Sequence, residues 1–237
     1  MAQFERAYAT RTAATQVAYD QGLRQYMLRV YNYMASGLFL TGAVAIGFYQ
    51  SGWLYAIAGT PLMWVVMLSP LAFVLVLSFG INRLSLFATQ ALFWAFAAVM
   101  GLSLASIFAV YTGGSIAKVF FISAAMFGGM SLYGYTTKRD LTQIGSFLIM
   151  GLFGLIIASI VNVIWPSGPL GFAISIVGVV IFLGLTAWDT QKIKESFVAD
   201  MDEGLKTKGA VMGALSLYLD FLNLFLMLLR LFGQQRN

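Results

Sequence analysis

From Val30 to Asn82 the chain carries no charged side chain, and three further charge-free intervals follow at 84–117, 119–137 and 141–188. A helix needs about 20 apolar residues to cross the hydrocarbon core of a bilayer. Each interval supplies at least one such length, and the first and fourth supply two. Charged residues make up only 10% of the chain, against about 25% in an ordinary soluble domain. The two-residue alternation of an outer-membrane barrel is absent. The pattern predicts an all-α integral membrane protein.

The polar breaks divide the intervals into seven predicted spans, at about 30–49, 53–79, 84–110, 116–136, 143–165, 169–194 and 209–232. "YQSGW", "GINR", "YTGG", "TTKRD" and "PSGP" separate the first six, and the charged loop "ESFVADMDEGLKTK" precedes the seventh. Pro61 falls near the start of the second span and Pro70 predicts a kink within it. Residues 1–29 read as a cytosolic tail leading into an interfacial helix, with Tyr26, Tyr31 and Tyr33 suited to the headgroup belt. No cleavable leader is expected there. Residues 30–237 form one seven-helix domain. Gly128, Gly129 and Gly134 in the fourth span, and Gly101 and Ala105 in the third, predict close helix packing.

Cysteine and histidine are both missing from the sequence. That excludes disulfides, thiol catalysis, zinc sites of the usual ligands and histidine-assisted serine chemistry. No cofactor and no enzymatic activity are expected. The net charge of +5 reads as a membrane-orientation signal rather than a nucleic-acid footprint. With the N-terminus in the cytosol, eleven of the fourteen Lys and Arg residues fall on the cytosolic side, and Lys118, Arg230 and Arg236 on the other. The asymmetry predicts the N-terminus inside and the C-terminus outside.

The seventh span carries one acidic residue, Asp220, near its middle. Gly213, Ser216, Asp220, Asn223, Met227 and Arg230 are spaced 3, 4, 3, 4, 3 and share a helix face. That face is expected to look into the bundle, with Ser216 and Asn223 as polar pore-face residues. A carboxylate at this depth needs a cation, a donor or a proton. The only other acid within a predicted span is Asp189, in "GLTAWDTQKIKE". Two carboxylates held close together are costly to ionise fully and share a proton instead, which makes the pair a candidate pH sensor. Depth counts against the pairing: Asp189 lies about 30 Å and Asp220 about 20 Å from the outer ends of their spans, at about 1.5 Å per residue. Asp200, Asp202 and Glu203 lack the calcium-loop ligand pattern and read as a solvated loop.

"FFISAAMFGGMSLYGYTTKRDLT", "GLTAWDTQKIKE" and "ALSLYLDFLNLFLMLLRLFG" resemble the transmembrane Bax-inhibitor-motif family in its bacterial branch, from about residue 25 to the end. The resemblance implies a fold whose last helix is central and surrounded by the other six, in the inner membrane. It also implies a pH-governed calcium leak, in which aspartates of the last two helices bond near the cytosolic side and an arginine competes for them. On this sequence those aspartates are Asp189 and Asp220, also making transient calcium contacts, and Arg83 is the candidate competing cation. Relatives can carry an acid in the second span, whereas "PLAFVLVLSFG" has none. Asp189 and Asp220 then carry more of the oxygen ligation that calcium requires.

Two other readings compete. A non-transporting regulator would bind another membrane protein, such as a membrane-anchored protease, through the charged N-terminal segment. An intramembrane aspartyl protease would use the same two aspartates, but such proteases resemble each other through a Gly-x-Gly-Asp turn and a Pro-Ala-Leu stretch. Here the second aspartate sits in "LYLDF" and its helix has no proline.

Overall fold

The computed structural model describes the backbone of residues 2–236 and the side chains from Gln16 to Arg236. Among the described residues the chain forms nine helices: α1 (Ala2–Gln50), α2 (Trp53–Ile57), α3 (Pro61–Gly80), α4 (Leu86–Leu104), α5 (Ser106–Val110), α6 (Gly113–Thr136), α7 (Thr142–Ile164), α8 (Gly168–Glu195) and α9 (Glu203–Phe232). Seven units are long and apolar enough to cross a membrane, with α4 and α5 counted as one. Their outward faces are largely apolar. Phe79, Phe87, Phe147, Met150 and Val163 are all more than two-thirds exposed, an arrangement that water would not tolerate over so large an area. The protein is a multi-pass integral membrane protein.

Three boundaries differ from the sequence reading, each for a local reason. The segment expected to lead into the first span is helical and continuous with it, so α1 begins at Ala2 rather than near Val30. The predicted second span is two helices. Gly59 takes a left-handed φ of 79°, Thr60 stands at the N-cap position of α3 in extended conformation, and Pro61 opens the helix at the position where a missing N–H costs nothing. Pro70 cannot donate to Val66, and the Ser69 hydroxyl takes that carbonyl instead at 2.9 Å. Finally, α9 starts at Glu203 rather than 209, because the Asp202 carboxylate caps it by accepting from Gly204 N at 2.8 Å.

α9 is the most buried of the spans. It packs against α1, α4, α6 and α8, while α3 lies against α4 and α7 against α8. The resemblance implied six helices around the last; α9 makes its main contacts with these four. The bundle is thus two three-helix groups, α1/α3/α4 and α6/α7/α8, with α9 packed against both. Close approach depends on particular glycines. A side chain on Gly134 would run into the Ala187 backbone of α8, and one on Gly145 into the Trp188 ring. Gly101 of α4 sits against Thr41 and Val44 of α1. Gly128 and Gly129, expected in the same packing role, face open space.

Polar side chains stitch one end of the bundle. Arg29 of α1 pairs with Glu203 at 3.3 Å and donates to Thr207 at 2.8 Å. Gln191 of α8 ties down the α6–α7 turn, accepting from Leu141 N and donating to Arg139 O, each at 2.8 Å. Lys208 donates to Leu84 O at 2.5 Å, holding the α3–α4 turn. This basic end carries Arg83, Lys138, Arg139, Lys192 and Lys194 as well. At the opposite end residues 233–236 fold back. Gln235 bridges to Tyr111, and Arg236 bonds Tyr49 and the Phe108 carbonyl.

Candidate functional site

The interface of α8 and α9 is set by small residues meeting large ones. Ile193 lies against Gly213, and Met227 lies against Gly178. These contacts are 14 residues apart on α9 and 15 on α8, so the helices run antiparallel in steady register. The face carrying Gly213, Asp220 and Met227 is therefore the one turned to α8, as its spacing predicts.

That register brings Asp220 opposite Leu185 and Thr186, one turn short of Asp189. Side chains on a helix lean toward its N-terminus. On antiparallel neighbours they lean toward each other, and this narrows the remaining turn. The register thus sets the two aspartates about one turn apart along the α8–α9 interface. Much of the depth difference noted in the sequence is a stagger of the two outer ends, since α8 begins at Gly168 and α9 ends at Phe232. On the same register, the start of α8 reaches about five residues, or roughly 7 Å, beyond that end.

Asp220 is buried, with 6% exposure. Its Oδ2 has no hydrogen-bond donor among the described residues. Asp189 is half-buried, and its charged neighbour is Lys192 on the same helix. Lys192 itself rests its ammonium over the Trp188 ring, 5.0 Å from the centroid. A buried polar atom without a partner is uncommon in a folded protein and marks Asp220 as a candidate functional residue. No cluster of three metal-ligating side chains occurs among the described residues.

The other candidates are placed apart from this pair. Arg83 is exposed in the α3–α4 turn, and Lys208 rather than Arg83 binds the carbonyls there. Ser216 is half-buried. Asn223 donates to Leu219 O of its own helix at 2.8 Å. One buried polar chain escaped the sequence reading: Tyr31 of α1 bonds Ser131 of α6, and Ser131 meets Thr190 of α8 at 3.0 Å. Thr190 follows Asp189 directly. Hydroxyls scattered over three spans give no sequence signal of their meeting. At the opposite end a cavity of about 500 Å³ is lined by Ser159, Asn162, Ser175 and Arg230 among others.

Comparison with known proteins assigns the ancestry. Residues 23–237 match the model of the family described as "Inhibitor of apoptosis-promoting Bax1". The chain belongs to this Bax inhibitor family. An uncharacterised protein of Rickettsia prowazekii is 47% identical over 227 residues, covering 95% of this chain and 96% of that one. An Escherichia coli protein named inner membrane protein YbhL is 47% identical over 219 residues, covering 91% and 94%. A Caulobacter vibrioides relative is 42% identical over the whole of both chains. The Bax inhibitor match thus takes in both aspartates and all seven crossing helices, the first of them from residue 23 onward.

Proposed function

We propose that this Bax inhibitor family protein is a pH-sensitive cation leak pathway of the inner membrane, with calcium as cargo, and that the Asp189–Asp220 pair is its gate. The observation that carries the reading is Asp220 Oδ2, buried without a donor among the described residues on the face of α9 turned to α8, the helix of Asp189. The inner-membrane location rests on the likeness to YbhL, and the basic end is assigned to the cytosol by its excess of Lys and Arg.

The chemistry of gating follows from proton count. With one proton shared, a charge-assisted bond holds α8 to α9. With none, two carboxylates repel, and Asp189 turns toward a cation, for which Lys192 is better placed than Arg83. With two protons the charge-assisted bond is lost. Flux is therefore lowest where the pair holds one proton and rises on either side. Ions that pass contact the aspartates transiently and leave through the cavity beside Arg230.

The test is calcium-reporter flux into proteoliposomes of purified protein over about two pH units around neutral, a range that covers most of a single titration. Asp220→Asn and Asp189→Asn should each flatten the pH profile, and Asp200→Asn in the exposed loop should leave it unchanged. Wild-type protein that passes no cation in a pH-dependent manner would overturn the leak reading in favour of a regulator that binds a membrane protein. Asn variants that respond to pH like wild type would leave a leak whose sensor lies elsewhere.

A further inference from the structure

The two three-helix groups meet at a seam between α1 and α6. These helices do not pack face to face, and the hydrogen bond between the Tyr31 and Ser131 hydroxyls spans the gap. Along the seam runs a groove of about 620 Å³, within the roughly 300–1,000 Å³ typical of ligand sites. Its walls are Met27 and Leu28 on α1 and Phe127, Gly128 and Leu132 on α6. Gly128 contributes to the space directly, since a side chain there would meet nothing within 4 Å. The groove opens sideways, toward the region where the outward faces of the helices are apolar. Its lining on α6 runs from Phe127 to Tyr135, a height of about 12 Å at 1.5 Å per residue. That is most of one leaflet of a hydrocarbon core about 30 Å thick.

Arg24 stands at the rim on the basic end and is the one charged residue of the lining. It is exposed. Among the described residues the ion pairs are Arg29–Glu203 and Lys206–Glu203, and Arg24 belongs to neither. A bare guanidinium at headgroup height, above an apolar slot open to the bilayer, matches a phosphate on a hydrocarbon chain.

We propose that the α1–α6 seam is a lipid site that seats one acyl chain of an anionic phospholipid, with its phosphate on Arg24. A lipid fits where a soluble ligand does not, because the slot is reached from within the membrane. The chain would close the lateral side of the Tyr31–Ser131–Thr190 hydroxyl chain. The site does not depend on the leak reading and can be tested without any flux measurement.

The experiment is native mass spectrometry of the full-length protein released from detergent, with phosphatidylglycerol or phosphatidylcholine added at equal concentration. Wild type should retain one phosphatidylglycerol in preference to phosphatidylcholine. Arg24→Gln should remove at least most of that preference while lipid binding persists. Gly128→Phe on one wall, or Leu28→Trp on the other, should abolish the retained lipid. Filling from either wall suffices, so the loss of one variant to misfolding leaves the test intact, and Gly128→Ala serves as a control that keeps the lipid. If the filled variants retain as much lipid as wild type, the groove is not the site. If Arg24→Gln keeps the anionic preference, the headgroup assignment is overturned.

Discussion

Gly134 and Gly128 lie on the same helix, six residues apart, and the sequence gives no means of telling their roles apart. Their surroundings do. Alanine at Gly134 forces its methyl group into the Ala187 backbone of α8, and overpacking of this kind costs about 1–3 kcal/mol. Alanine at Gly128 meets nothing within 4 Å and removes the conformational freedom of glycine, worth up to about 1 kcal/mol in a helix. Thermal unfolding in detergent should therefore show Gly134→Ala clearly destabilised and Gly128→Ala equal to or above wild type. Tyr218 offers a second contrast. It is fully buried, its ring packs edge-on to Phe93 and Phe96, and its hydroxyl meets Thr41 at 2.6 Å. Tyr218→Phe keeps the packing and loses one hydrogen bond, a cost of about 1 kcal/mol in the same measurement, because Thr41 still donates to Ala97 O. Asp220 was legible in the sequence because a lone acid in an apolar span is conspicuous. Arg83 was the competing cation that the family resemblance implied, yet it sits in an exposed turn, where a cation needs no partner. Charge at the end of a span says little about the interior.

At the scale of elements, span number and order followed from the distribution of charge, since each polar break marks a place where the chain must leave the hydrocarbon. What the intervals did not reveal were the ends that polar residues build for themselves. α9 gains its first turn from Asp202 and Glu203, read from sequence as solvated loop. Residues 2–29 continue α1 although they are polar, because helix formation does not require a helix to be apolar. The α6–α7 turn depends on one side chain. Gln191→Leu leaves Leu141 N and Arg139 O without their partner, and an unsatisfied buried group costs about 1–3 kcal/mol. Protease cleavage near Arg139 should accelerate in that variant, with the rest of the bundle protected. At the opposite end Arg230 faces the cavity that would receive a departing cation. A positive charge at a pore mouth lowers the local cation concentration. Under the leak reading, Arg230→Glu should raise calcium flux most strongly at low ionic strength, and added salt should erase the difference.

At the scale of the molecule, the assignment of the basic end to the cytosol makes a direct prediction in a chain that has no cysteine of its own. Ser51→Cys, exposed in the α1–α2 turn, should react with a membrane-impermeant thiol reagent on intact cells. Asp200→Cys, exposed between α8 and α9, should react only after the membrane is opened. The reverse pattern would invert the topology. The arrangement of the two groups on α9 also bears on how the protein is made. The helix that carries the most burial follows six other spans in the chain, and a ribosome delivers it after them. Until α9 enters the membrane, α1, α4, α6 and α8 lack the surface they close upon, and Thr41 waits without Tyr218. The joining of the two three-helix groups is thus postponed to the closing stage of translation, and a nascent chain halted before Glu203 would hold both groups without the helix packed against each.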